Sequence, residues 1–261
     1  YNDQRDDGLS WFDDKPARSL IVSWKNLLDQ LGPVMHNAGK VIFVNNHDKR
    51  IDVLRQTDGF FDEFTYAGSP LNLTALMGIR RPVLGWTSEE KDLRPDPDAF
   101  FQRYLHLGVF PMAPFPGNDH SLPPGEWVDR QYLDYGPLLR LLRGKRWVLE
   151  PRCVDVVSGP AKANLFEVGG GYVVPVVLGG ADGSATVKLR GLKDFGGRSA
   201  WRAEVLHPGK KSWAPIEATG SGRELTLEVP LERGCAVARL SYLWMLPRVR
   251  CFVGQCGVEM G

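Results

Sequence analysis

Over roughly the first 150 residues, short apolar runs alternate with stretches in which apolar residues recur every three or four positions. The runs Leu9–Phe12, Val41–Val44, Gly59–Phe61, Pro82–Trp86 and Val109–Ala113 read as buried strands. Between them, Ala17–Asn37 carries Leu20, Trp24, Leu27, Leu28 and Leu31 at helical spacing, and Ala38-Gly39-Lys40 supplies a glycine stop. Shorter helices are expected over Lys49–Gln56 and Asn72–Gly78. Asp96-Pro97 opens another, a capping residue followed by proline at the first helical position, which runs through Phe100, Phe101, Tyr104 and Leu105 to Gly108. A last helix is expected over about Arg130–Arg143.

Strand–helix alternation repeated about five times predicts parallel strands with helical crossovers. Two features favour a barrel over an open doubly wound sheet. There is no glycine-rich phosphate loop after the first strand, and Asp13, Asn46, Glu63, Trp86 and Asp119 decorate the strand ends, where barrel enzymes keep their chemistry.

After Glu150-Pro151 the period changes. Asn164–Val168 and Tyr172–Val177 flank a Gly169-Gly170-Gly171 turn, and Thr186–Leu189 and Glu224–Val229 alternate with period two. The expected organisation is α/β plus all-β: residues 1–150 as part of a (β/α)8 barrel with about five strands, then 151–240 as an antiparallel β-sandwich. Residues 241–261 fit neither pattern and are left unassigned.

Composition narrows the function. Thirty-two Lys and Arg balance 31 Asp and Glu, for a formal charge of +1, so no basic excess points to nucleic acid. The longest apolar stretch, around Tyr172–Leu178, is too short to span a bilayer as a helix. Eight Trp, seven Tyr and twelve Phe argue for a packed chain rather than a disordered one. The cysteines, Cys153, Cys235, Cys251 and Cys256, form no CxxC pair and have no histidine cluster beside them. Neither a metal nor another cofactor is implied.

The candidate chemistry lies in two similar strand ends. Asp7–Asp14 and Asp58–Glu63 share the form Asp-Gly, aromatic run, two acids, and parallel strands would bring both acidic pairs to one rim. Glycoside hydrolysis uses two carboxylates, one protonating the leaving oxygen and the other attacking the sugar or activating water. Phe61, Phe64 and Trp11 would supply the apolar surroundings that raise an acid's pKa. Trp11, Tyr66 and Trp86 offer faces for sugar rings, and Asp14, Asn46, His47, Asp119 and His120 could bond hydroxyl groups. The plainer reading is that acids after strands cap helices and that Asx residues form turns. A Ser–His–Asp hydrolase built on Ser10 or Ser121 with His120 lacks a Gly-x-Ser-x-Gly elbow. His36, His106 and His207 read as structural, and the basic run Arg140–Arg146 as helix C-terminal charge.

With Val109–Ala113 counted as the eighth strand of a barrel, Leu9–Phe12 becomes the fourth and Gly59–Phe61 the sixth. That arrangement resembles the retaining α-galactosidase and α-glucosidase-type glycoside hydrolases, and the Asp-Gly-x-x-x-x-Asp form of Asp7–Asp13 is similar to their nucleophile strand. The resemblance implies a (β/α)8 barrel followed by an antiparallel β-domain, with Asp13 as nucleophile and Glu63 or Asp62 as acid/base. It also implies a carbohydrate substrate and, since the chain opens Tyr1-Asn2-Asp3 without an initiator Met, a missing N-terminal part of the same barrel. Two alternatives stand beside it. One is a non-catalytic carbohydrate-binding or scaffold domain of barrel type; the other is a different barrel enzyme, such as a lyase or aldolase.

Overall fold

The computed structural model describes residues 11–12, 15–16, 20–45, 55–62, 78–114, 122–193, 201–221, 223–242, 249–252 and 255–258. They fall into two compact units. One holds the residues up to Arg94 together with Val109–Pro123; the other holds Pro95–Gly108 and the residues from Pro124 onward. The helices near residues 100 and 130, which the alternation assigns to a first domain ending at 150, therefore belong with the antiparallel strands.

In the first unit, β1 (Trp11–Phe12) pairs antiparallel with β2 (Lys15–Pro16). This corrects the expectation that Leu9–Phe12 is a parallel barrel strand: the backbone bonds of residues 11 and 12 go to a strand three residues on in the chain. Helix α1 (Leu20–Asn37) follows, then β3 (Phe43–Asn45), β4 (Gly59–Asp62), β5 (Val83–Gly85) and β6 (Phe110–Pro111). These last four strands form one parallel sheet in sequential order. Among the described residues the parallel sheet thus has four strands rather than about five, and it is not closed into a barrel.

Asp58 joins the pieces at the amino end of that sheet. Its carboxylate accepts from the Ile42 backbone N–H at 2.8 Å and pairs with His36 Nε2 at 2.8 Å, tying the end of α1 to the entrances of β3 and β4. Burial alone would raise the Asp58 pKa, but the bonds from His36 and Ile42 hold it below the usual carboxylate value. The apolar stripe of α1 is only partly covered: Leu28 is buried, whereas Leu27, Leu31 and Val34 are exposed.

The second unit is built from α2 (Pro97–Leu107), α3 (Glu126–Arg140) and two antiparallel sheets. Helix α2 begins as its sequence predicts, with the Asp96 carboxylate accepting from Ala99 N–H at 2.9 Å, and it ends on the left-handed Gly108. The strands in chain order are β7 (Arg146–Trp147), β8 (Val154–Ser158), β9 (Lys162–Ala163), β10 (Phe166–Val168), β11 (Gly171–Val177) and β12 (Gly183–Leu189). They continue as β13 (Trp201–Leu206), β14 (Ala214–Pro215), β15 (Ala218–Ser221), β16 (Glu224–Leu231) and β17 (Ala236–Tyr242). One sheet runs β14-β13-β17-β11-β10-β7, with β9 also on β11; the other runs β15-β16-β12-β8.

Their facing residues share one core. Val174 and Val176 of β11, Val205 of β13 and Ala238 of β17 meet Val187 of β12 and Leu227 and Val229 of β16. The period-two pattern of Glu224–Val229 is realised as alternating burial along β16. Strand β11 is buried on both faces from Tyr172 to Val177, and α2 runs close to it. That is why its sequence is a continuous apolar run. The turn between β10 and β11 places Gly169 and Gly170 at φ 55° and 84°, the left-handed pair that a two-residue hairpin requires. Strands β18 (Val249–Phe252) and β19 (Gln255–Val258) form a further antiparallel pair within the stretch left unassigned from sequence. Among the described residues no helix is long and apolar enough to cross a membrane.

Candidate active site at the carboxyl ends of the parallel strands

Register decides which side chains share a face. Asp62 stands opposite Gly85, and Phe60 opposite Val83; Phe61 stands opposite Leu84, and Leu84 opposite Phe110. Successive strand residues point to opposite sides. One face of the sheet therefore carries Phe60, Asp62, Val83, Gly85 and Pro111, all buried. The other carries Asn45, Phe61, Leu84 and Phe110, all at least partly exposed.

Asp62 is 3% exposed, so this acid ends β4 on the covered face. Its backbone carbonyl accepts from Trp86 N–H at 2.9 Å, which carries the strand pairing one residue beyond β5. The Trp86 ring comes to the other face, 6.2 Å from the Phe61 ring centroid and tilted by 40°. The two predicted residues are thus neighbours along the backbone, with their side chains on opposite sides of the sheet.

Thr87, fully buried, fastens the next strand end. Its hydroxyl donates to Gly85 O at 3.3 Å and accepts from Met112 N–H at 3.2 Å, and Met112 N–H also reaches Gly85 O at 2.9 Å. Strands β5 and β6 are thereby clipped together at the rim. Immediately after, a π-helical turn over Glu89–Leu93 is capped at Ser88, whose N–H donates to Asp92 Oδ2 at 2.7 Å. Sequence reading missed Thr87. A threonine one residue past a strand end, with a second strand due to finish beside it, is the available signal, but it is a weak one.

Of the other predicted residues, Asp13, Asp14, Asn46, His47, Glu63, Tyr66, Asp119 and His120 lie outside the described residues, and for Trp11 only the backbone is described. What the described rim offers chemically is a half-open aromatic surface of Phe61 and Trp86, with Asn45 on the same face, at the carboxyl end of a parallel sheet. Among the described residues no cluster of three metal-ligating side chains occurs.

No family model matches the chain, and no curated protein matches it. Solved structures to which the chain shows some similarity include a family 30 endoxylanase from Clostridium papyrosolvens C71, at 11% identity and TM-score 0.47, covering 83% of this chain and 60% of that one. A family 30, subfamily 8 xylanase from Clostridium acetobutylicum is also 11% identical with TM-score 0.47, covering 89% of this chain and 64% of its own. A Thermotoga maritima α-fucosidase is 13% identical with TM-score 0.37, covering 70% and 42%. These are glycoside hydrolases, and the chain spans less than two thirds of the length of each.

Proposed function

We propose that the parallel sheet is the C-terminal part of a (β/α)8 barrel, that the two antiparallel sheets form its appended β-sandwich, and that the chain is a glycosidase acting through paired carboxylates with retention. Asp13 is the nucleophile and Glu63 the acid/base. The observation that carries the reading is the strand end at β4. Asp62 turns to the covered face while Phe61 and Trp86 occupy the open one, so the strand that leads into the acidic pair presents an aromatic surface at the carboxyl rim. A carboxyl held against aromatic rings keeps its proton more readily than one in water, which suits the acid that protonates a leaving oxygen. Trp86 supports a sugar ring by stacking. Asp62, next to the acid in the chain and turned to the covered face, acts by positioning the strand end.

The test is a panel of aryl glycosides assayed with wild type, Asp13→Asn, Glu63→Gln and Asp62→Asn. Glu63→Gln should lower kcat by about 10²–10⁴-fold, least for substrates whose leaving groups need no protonation. Asp13→Asn should abolish turnover, and Asp62→Asn should cost less than about tenfold, the scale of a perturbed position rather than a lost proton transfer. Equal turnover in wild type and Asp13→Asn removes Asp13 from the mechanism. A silent Glu63→Gln beside an inactive Asp62→Asn moves the acid to Asp62. A wild type that cleaves none of the panel favours the non-catalytic carbohydrate-binding reading.

A further inference from the structure

The second unit holds an open cleft of about 770 Å³, remote in sequence from every residue assigned above. It is assembled from five segments, contributing Trp147, Glu150, Glu167, Tyr172, Lys193 and Arg223 among others. Four of these segments are locked together by the cleft's own polar groups. The Tyr172 hydroxyl accepts from Lys193 N–H at 2.9 Å, the Lys193 ammonium pairs with the Glu167 carboxylate, and Arg223 Nε donates to Leu192 O at 3.1 Å. Trp147 is held edge-on by Phe166, with ring centroids 5.4 Å apart. The walls are therefore built before any ligand arrives.

What remains unused defines the ligand. Among the described residues, the Glu150 carboxylate and the two terminal nitrogens of Arg223 have no hydrogen-bond partner. The cleft carries two carboxylates and two cations, so it presents no net field that would select a polyanion or a polycation. It offers aromatic and aliphatic walls beside closely spaced acceptors and donors, and its volume lies within the range of roughly 300–1,000 Å³ of small-ligand sites. The ligand that matches is itself amphipathic and uncharged, with C–H faces for the walls and vicinal hydroxyls that both give and take hydrogen bonds. We infer that this cleft binds a neutral saccharide, with Glu150 accepting from and Arg223 donating to adjacent hydroxyls. The assignment is independent of the glycosidase reading.

Isothermal titration calorimetry of the whole chain with cellotetraose, xylotetraose and mannotetraose tests it, with glucuronic acid and inorganic phosphate as charged controls. At least one tetrasaccharide should bind saturably. Glu150→Gln and Arg223→Gln should each weaken that binding tenfold or more, and Glu150→Gln, which removes no hydrogen bond of the fold, should leave the thermal midpoint unchanged. Glu63→Gln should leave it intact, which separates this site from the proposed active site. Absence of saturable binding of all three sugars overturns the inference. So does binding unaffected by both cleft substitutions, or phosphate or glucuronate binding more tightly than any neutral sugar. Should Arg223→Gln lower the midpoint, Glu150→Gln alone is read under the same criterion.

Discussion

Replacing Arg233 with alanine should release α2 and α3 from the turn between β16 and β17. Arg233 and Gly234 are the two central residues of the turn bridged by Glu232 and Cys235, both with positive φ, 54° and 70°. A left-handed arginine is unfavourable, so its contacts must compensate. They are many. Nε donates to Asp98 Oδ2 at 3.1 Å, another guanidinium nitrogen bonds Asp98 Oδ1, and a third reaches Asp134 Oδ2 at 2.6 Å. The guanidinium carbon lies 5.3 Å from the centroid of the buried Tyr135 ring. The backbone joins in: Arg233 O accepts from Gln102 Nε2 at 2.8 Å, and Gln102 Oε1 accepts from Leu178 N–H at 2.6 Å.

Hydrogen bonds to charged groups contribute about 1.5–3 kcal/mol when well buried, and exposed ion pairs about 0.2–1 kcal/mol. Arg233 is 35% exposed, with Asp98 at 34% and Asp134 at 26%, so each carboxylate contact belongs near the middle, at about 1 kcal/mol. The cation–π contact adds about 0.5–1 kcal/mol. Arg233→Ala should therefore cost roughly 2–4 kcal/mol, while Arg233→Gly should cost about 1 kcal/mol less, since glycine has no left-handed penalty. Urea unfolding of wild type, Arg233→Ala, Asp98→Ala and the double variant gives the coupling directly, expected at about 1–2 kcal/mol. A loss below about 0.5 kcal/mol for Arg233→Ala, or no coupling in the cycle, would refute the reasoning by showing the network to be solvent-screened decoration.

Three further outcomes follow from other positions. Gly144 and Gly234 share φ near 70°, but an added Cβ meets nothing at Gly144 and lies 2.5 Å from Gly180 N at Gly234. Chemical denaturation should show Gly144→Ala costing about 1–2 kcal/mol from backbone conformation alone and Gly234→Ala clearly more. Burial beside Phe166 draws the Lys145 amine down to about 8. Between that value and the ordinary lysine pKa of about 10.4, the unfolded chain binds a proton that the folded chain does not. The stability of wild type relative to Lys145→Met should therefore rise as pH is raised from 7 to 10; a flat difference would mean a solvated amine. Asp96→Ala removes the side-chain cap of α2 and should cost about 1 kcal/mol in thermal or urea unfolding, with Asp96→Ser largely preserving stability.

Elements governed by neighbours a few residues apart were legible in the chain. The Asp96-Pro97 start of α2, the glycine pair between β10 and β11 and the period-two burial of β16 follow from caps, positive φ and alternation, each confined to a handful of positions. The ends of β4 and β5 were also readable, and with them Asp62 and Trp86. Their opposite facing was not, because it rests on the register Asp62↔Gly85 between strands whose paired residues are 23 apart in the chain.

What the sequence determined by itself is the kind of element made at α1 to α3, at β3 to β6 and at β10 to β12 and β16, and the change from parallel crossovers to antiparallel hairpins after residue 150. Tertiary structure alone decided that β1 pairs with β2, that α2 and α3 belong to the antiparallel body, and that Arg233 meets Asp98 across 135 residues. It also gathered the cleft from five separate segments. The reason is that propensity and periodicity report only on contacts made within a turn or along a strand. Partner, register and face are fixed when distant apolar surfaces are buried together and each buried polar group finds a mate.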